Sequence, residues 1–319
     1  MSAPLLSVRD LCVDYVTENG PVRAVDTVDL DLSPGEILGI AGESGCGKST
    51  LAQALLRTLP PPAVIARGRV TFEGRDVLAM SEPELRGMRW RRMSMVFQSA
   101  MDALNPVTTI GEQLADTILA HEPVSGTEAR RRAGALLERV GIPAERLGSY
   151  AHQLSGGMRQ RVGIALALAL EPALVILDEP TTALDVIVER EILAHIRTLQ
   201  RTLGFAVIYI THDLARMLQF SDRLAIFYAA RLVEVGPAAT IATAPRHPYT
   251  RGLLRAFPRV HAEAGAAESI PGTPPSLRTP PPGCRFHPRC PIAVEACRRE
   301  RPALLEVGPG HLAACPVAR

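Results

Sequence analysis

Gly42-Glu43-Ser44-Gly45-Cys46-Gly47-Lys48-Ser49 brings glycines, one lysine and a hydroxyl together within eight consecutive positions. Glycines let a backbone turn approach an anion without Cβ clashes. A lysine reaches the outer phosphate oxygens as a point charge, and Ser49, followed by Thr50, offers oxygen to Mg²⁺. Glu36 to Ala41 reads as a short buried strand and Lys48 to Leu59 as a helix stopped by Pro60-Pro61-Pro62. The glycine turn therefore opens a helix N-terminus, where free N–H groups and the helix dipole favour phosphate. A chance glycine turn before an amphipathic helix is the bland reading. Against it, the chain has 35 basic residues and Lys48 is its single lysine.

A second constellation is Leu174-Val175-Ile176-Leu177-Asp178-Glu179, a buried strand ending in two carboxylates. Parallel strands present ligands at their C-terminal ends. Asp178 suits Mg²⁺, directly or through water, and Glu179 suits polarisation of an attacking water. Alone, the pair would equally cap the next helix. Combined with the phosphate-binding turn, it points to hydrolysis of a nucleoside triphosphate with Mg²⁺.

The elements that must position these groups follow from periodicity. Leu5 to Tyr15 and Val22 to Leu32 alternate as an antiparallel pair joined at Asn19-Gly20-Pro21. Met93 to Phe97, Leu174 to Leu177, Phe205 to Ile210 and Leu224 to Tyr228 are apolar strands alternating with helical segments, which predicts a mainly parallel α/β sheet. Residues 104–170 read as an inserted helical subdomain without a strand. Pro271 to Pro282 holds six prolines in twelve residues, an extended linker within 258–283. The expected division is a nucleotide-binding domain over 1–257, that linker, and a cysteine-rich tail over 284–319, too small for a core of its own.

Composition narrows the function classes. Hydrophobic residues at 47% and charged residues at 21% exclude a disordered or fibrous chain. A net charge of +2 gives no sign of nucleic-acid binding. Met1 to Asp10 lacks the basic start and apolar run of a signal peptide, and Val162 to Leu177 is broken by Glu171 and Pro172, so neither a leader nor a membrane span is expected. Cys284, Cys290, Cys297 and Cys315 crowd the end of the chain. Four thiolates serve zinc or an iron–sulfur cluster, and their spacing does not choose between them. Cys12, Cys46 and the triplet Arg130-Arg131-Arg132 read as ordinary structural or solvated residues.

Leu154-Ser155-Gly156-Gly157-Met158 is, alone, a serine helix cap with a flexible entry. With the groups above it resembles the signature of ATP-binding cassette proteins, Met158 standing where glutamine is usual. The resemblance implies an ABC-type P-loop NTPase of the α/β class with an antiparallel β subdomain. It assigns Gln98 to the Q-loop as an Mg²⁺ contact, Ala183-Leu184-Asp185 to the D-loop, His212 to the switch histidine and Tyr15 to stacking on adenine. It also implies head-to-tail pairing of two cassettes, so that Ser155, Gly156 and Gly157 serve the partner's ATP.

Met95-Val96-Phe97-Gln98 with Ala103-Leu104-Asn105-Pro106, His152 to Arg161, and Arg246-His247-Pro248-Tyr249-Thr250 are similar to the dipeptide and oligopeptide importer ATPases, the D-type more than the F-type. Ser99-Ala100 departs from the Asp-Pro common there, at the contact to membrane subunits. This narrower resemblance implies a subunit at the cytoplasmic face of the cell membrane, paired with an F-type cassette. It also implies two permeases, an external peptide-binding protein acting indirectly, and a [4Fe–4S] cluster on the four tail cysteines. With the phosphate turn in another domain, replacing Cys290 by serine is expected to affect ATP binding little. An importer of nickel or another small solute, or a soluble cassette ATPase outside transport, is the alternative.

Overall fold

The computed structural model describes residues 3–98, 103–181, 184–256 and 269–317. In chain order the elements are β1 (Leu6–Thr17), β2 (Gly20–Leu32), β3 (Ile37–Ala41), α1 (Lys48–Leu55), β4 (Ala63–Phe72) and β5 (Arg75–Asp76). Then come α2 (Glu82–Met88), β6 (Met93–Val96), α3 (Ile110–Leu119), α4 (Gly126–Arg139), α5 (Gly156–Leu168), β7 (Leu174–Asp178), α6 (Val186–Leu203) and β8 (Ala206–Ile210). The chain continues with α7 (Leu214–Phe220), β9 (Arg223–Tyr228), β10 (Arg231–Pro237), α8 (Ala238–Thr243), α9 (Pro248–Ala256), α10 (Glu295–Arg299), β11 (Leu305–Gly308) and β12 (His311–Ala313). No described helix is long and apolar enough to cross a membrane.

These elements fall into two compact units, one of residues 1–33, 37–78 and 209–319, the other of residues 34–36 and 79–208. In the first, β1 pairs antiparallel with both β2 and β4, giving the order β2-β1-β4-β5. The hairpin turn falls at Glu18-Asn19, one residue before the expected Asn19-Gly20-Pro21. Gly20 takes φ +96° to open β2, and the Thr17 hydroxyl donates to its carbonyl at 2.6 Å. β4 escaped the sequence reading because Arg67-Gly68-Arg69 interrupts its apolar pattern with exposed residues.

A second sheet region of this unit runs β11-β12-β10-β9-β3. Only β3 and β9 are parallel there, while β9, β10, β12 and β11 pair antiparallel in turn. This region is thus mixed, with β10, β12 and β11 pairing antiparallel beyond the parallel pair β3 and β9. α1 also ends four residues before the expected Leu59. Arg57 adopts a left-handed φ of +51°, and the Thr58 N–H turns back to the Gln53 carbonyl at 2.9 Å, so the helix terminates before any proline acts.

In the second unit β6 and β7 pair in parallel. Helices α3, α4 and α5 occupy residues 104–170, where the described residues hold no strand, only a bridge between Thr109 and Tyr150. Their starts are dictated locally. Thr109 and Glu112 form a capping box at α3, and the Ser125 and Ser155 hydroxyls cap α4 and α5. The indole N–H of Trp90 ties α5 down by donating to the Leu166 carbonyl at 2.9 Å.

Candidate functional site

β3 is buried throughout and delivers the chain into the loop Gly42–Gly47 at the start of α1. At Gly42 and Gly47 a Cβ would lie 2.2 Å from the Phe227 carbonyl and 2.0 Å from the Ala24 carbonyl, both with positive φ, so only glycine fits. Gly45, at φ +73°, faces open space. Lys48 is buried, and its ammonium donates to the carbonyls of Gly42 at 2.8 Å and Glu43 at 3.0 Å, with the Cys46 sulfur at 3.8 Å. The loop is thereby curled around its own cation. α1 has no side-chain cap and no acidic residue in its first turn, leaving its N-terminus favourable to an anion. Ser49 and Thr50 lie in that turn, and the Tyr15 hydroxyl is 3.2 Å from that of Thr50, which fixes the tyrosine beside the helix start. His212 is exposed just after β8, one residue before Asp213, whose side chain caps α7.

In the second unit Gln98 is exposed just beyond β6, and Asp178 closes β7 in a buried position. Glu179 then takes a left-handed φ of +51°, a strained backbone for a non-glycine residue of the kind stored at functional positions. The Ser155 hydroxyl accepts from the Met158 N–H at 3.3 Å, with Gly156 and Gly157 as the first two residues of α5. A Cβ on Gly157 would press on Val188 at 2.7 Å. Asp185 is the N-cap of α6, accepting from the N–H groups of Ile187 at 3.1 Å and Val188 at 3.0 Å. Ser99, Ala100 and Ala183 lie outside the described residues.

The ABC transporter family model matches residues 25–182, and the model for the oligopeptide/dipeptide transporter C-terminal region matches residues 233–297. The dipeptide transport ATP-binding protein DppD of Bacillus subtilis (strain 168) is 45% identical, over 98% of this chain and 94% of its own. The oligopeptide transport ATP-binding protein OppD of the same organism is 43% identical over 96% of this chain and 87% of its own. The chain belongs to the ABC transporter ATP-binding subunits with an oligopeptide/dipeptide transporter C-terminal region. An ATP-binding cassette solved as a dimer in a post-hydrolysis state bound to ADP and Pi superposes with a TM-score of 0.66 at 27% identity, covering 73% of this chain and 98% of its own.

In this ABC subunit the C-terminal region belongs to the same compact unit as the phosphate loop. Glu234, fully buried, accepts from the N–H groups of Arg246 at 2.6 Å and His247 at 2.9 Å and meets the His311 ring at 2.7 Å. That pins Arg246 to Thr250. Burial pushes the His247 imidazole down to about 3, so it stays neutral and accepts from the Tyr249 N–H at 3.1 Å. The Tyr249 hydroxyl in turn accepts from the Glu43 N–H inside the phosphate loop at 3.0 Å.

Arginines complete the attachment. Arg285 and Arg231 both reach one Asp26 oxygen at 2.7 Å. Burial works against the Asp26 carboxylate, but Arg231, Arg285 and Arg301 outweigh it and hold its pKa below the ordinary range. Arg289 forks onto Glu43 at 2.8 and 3.0 Å. Sequence reasoning assigned no site role to Glu43 or Arg289. The family match around Tyr249 was the one signal that could have led there.

The cysteines of the ABC subunit's tail converge. Cys284, Cys290, Cys297 and Cys315 line one small cavity together with Phe286, His287 and Ile292, and none is in a disulfide. Burial is the largest influence on the Cys284 thiol, and with the neighbouring sulfurs it raises the pKa to about 11. Among the described residues no group of three or more His, Cys, Asp or Glu is placed so that it could hold a metal ion.

Proposed function

We propose that the chain is the ATP-hydrolysing subunit that energises import of dipeptides and oligopeptides. The observation that carries this reading is whole-length similarity to peptide-transport ATPases combined with an intact phosphate loop whose lysine is seated among the loop carbonyls. In this role the loop N–H groups, the α1 N-terminus and Lys48 hold the ATP phosphates, and Tyr15 stacks on the adenine. Ser49, Asp178 and Gln98 are hard oxygen donors of the type Mg²⁺ takes, and when bound the ion neutralises phosphate charge. Glu179 accepts a proton from the attacking water, and His212 contacts the terminal phosphate.

One phosphate loop and one signature segment per chain support pairing with a second cassette, of the F-type. Ser155, Gly156 and Gly157 then present the α5 N-terminus to the partner's ATP, and Asp185 sits at the junction of the pair. The chain then works at the cytoplasmic face of the cell membrane beside two transmembrane permeases, with an external peptide-binding protein acting indirectly. The test is ATP turnover in the complex purified with its permeases. Turnover is expected to rise several-fold when external binding protein loaded with peptide is added; stimulation by nickel-loaded protein instead would transfer the chain to the alternative importer class.

For the tail, we infer a [4Fe–4S] cluster on Cys284, Cys290, Cys297 and Cys315. Support comes from the four cysteines lining one small cavity with none in a disulfide, since four thiolates are the ligand set such a cluster takes. Bound there, a cluster staples a segment with few apolar residues of its own. Anaerobically purified protein should be brown, with iron and labile sulfide each near about four per chain. Cys290→Ser should remove the colour and expose residues 284–317 to proteases. Colourless protein holding one zinc per chain would replace the iron assignment.

A further inference from the structure

Arg289 is the most constrained side chain of the C-terminal region. Its Nη1 and Nη2 donate to the two Glu43 oxygens at 2.8 and 3.0 Å, its Nε donates to the Pro271 carbonyl at 2.8 Å, and Nη1 also reaches the Tyr228 hydroxyl at 3.2 Å. The guanidinium lies 5.8 Å from the Tyr228 ring centre and 6.0 Å from that of Phe286. Its side chain is 6% exposed and that of Glu43 23%. A surface ion pair contributes little, but a forked pair on a planar, stacked and buried arginine holds its partner in one geometry.

Glu43 is an awkward residue for its position. A carboxylate inside a turn that binds a polyanion repels that anion unless a cation neutralises it, and Lys48 engages the Glu43 main chain rather than its carboxylate. Arg289 supplies the missing charge from outside the loop, while Tyr249 fixes the N–H of the same residue. We propose that Arg289 is a positioning residue for ATP binding. It neutralises Glu43 and draws its carboxylate aside, so that the C-terminal region completes the phosphate loop. The role rests on the loop binding ATP.

The experiment measures affinity of the full chain for a fluorescent ATP analogue in the wild type, Arg289→Ala, and Arg289→Ala combined with Glu43→Gln, with thermal melting of each. Arg289→Ala is expected to bind about tenfold more weakly, because an uncompensated carboxylate is left in the loop. Adding Glu43→Gln should return affinity to within about threefold of wild type, since the repulsion is removed with the charge. A purely structural contact would give no such recovery. Should Arg289→Ala fail to fold, Arg289→Lys carries the same test, its single point charge costing about threefold, again recovered by Glu43→Gln. Unchanged affinity in the single variant, or a double variant as weak as the single one, would overturn the proposal. Failure of the wild type itself to bind ATP would instead strike at the nucleotide reading.

Discussion

Replacing Lys48 by alanine is expected to abolish useful ATP binding, with affinity of the full chain falling at least about a hundredfold in fluorescence titration. Two losses combine. The triphosphate loses its only lysine partner, and the carbonyls of Gly42 and Glu43 lose the ammonium that now satisfies them at 2.8 and 3.0 Å. Buried carbonyls without a donor destabilise the curled loop, which adds to the loss of affinity. Arg at this position should restore little, because a planar fork cannot thread between loop carbonyls as a compact ammonium does. Retained affinity in Lys48→Ala would show that the loop N–H groups alone hold the phosphates.

Glu179→Gln is expected to separate binding from chemistry. Glutamine keeps the size of the residue at φ +51° but removes the carboxylate proposed to take the proton from water. ATP binding should stay within about threefold of wild type, while turnover in the assembled complex falls by about a hundredfold to ten-thousandfold, the range for losing a positioned general base. Near-normal turnover would move the base role elsewhere, with His212 the first residue to examine.

What was legible in the sequence follows from how locally each feature is encoded. The phosphate loop packs its chemistry into eight adjacent residues, and its glycines are demanded by carbonyls of Ala24 and Phe227 that approach to 2.0 and 2.2 Å. Ser155 and the carboxylate-ended β7 are equally local. β4 was hidden because its middle faces solvent and carries arginine and glycine instead of alternating apolar residues. β11 and β12 are four and three residues long, too short for a period to register. The contact between Glu43 and Arg289 joins residues 246 positions apart, and nothing near either one announces the other.

The most direct test of the account is uptake of a labelled dipeptide into proteoliposomes that contain the permeases and the paired cassette, with external binding protein outside and MgATP on the cassette side. Wild-type chain should drive accumulation only when ATP is present, and Glu179→Gln should reduce it in step with its loss of hydrolysis. Peptide uptake that is indifferent to ATP or to Glu179→Gln, or ATP-driven uptake of nickel with peptide excluded, would contradict it.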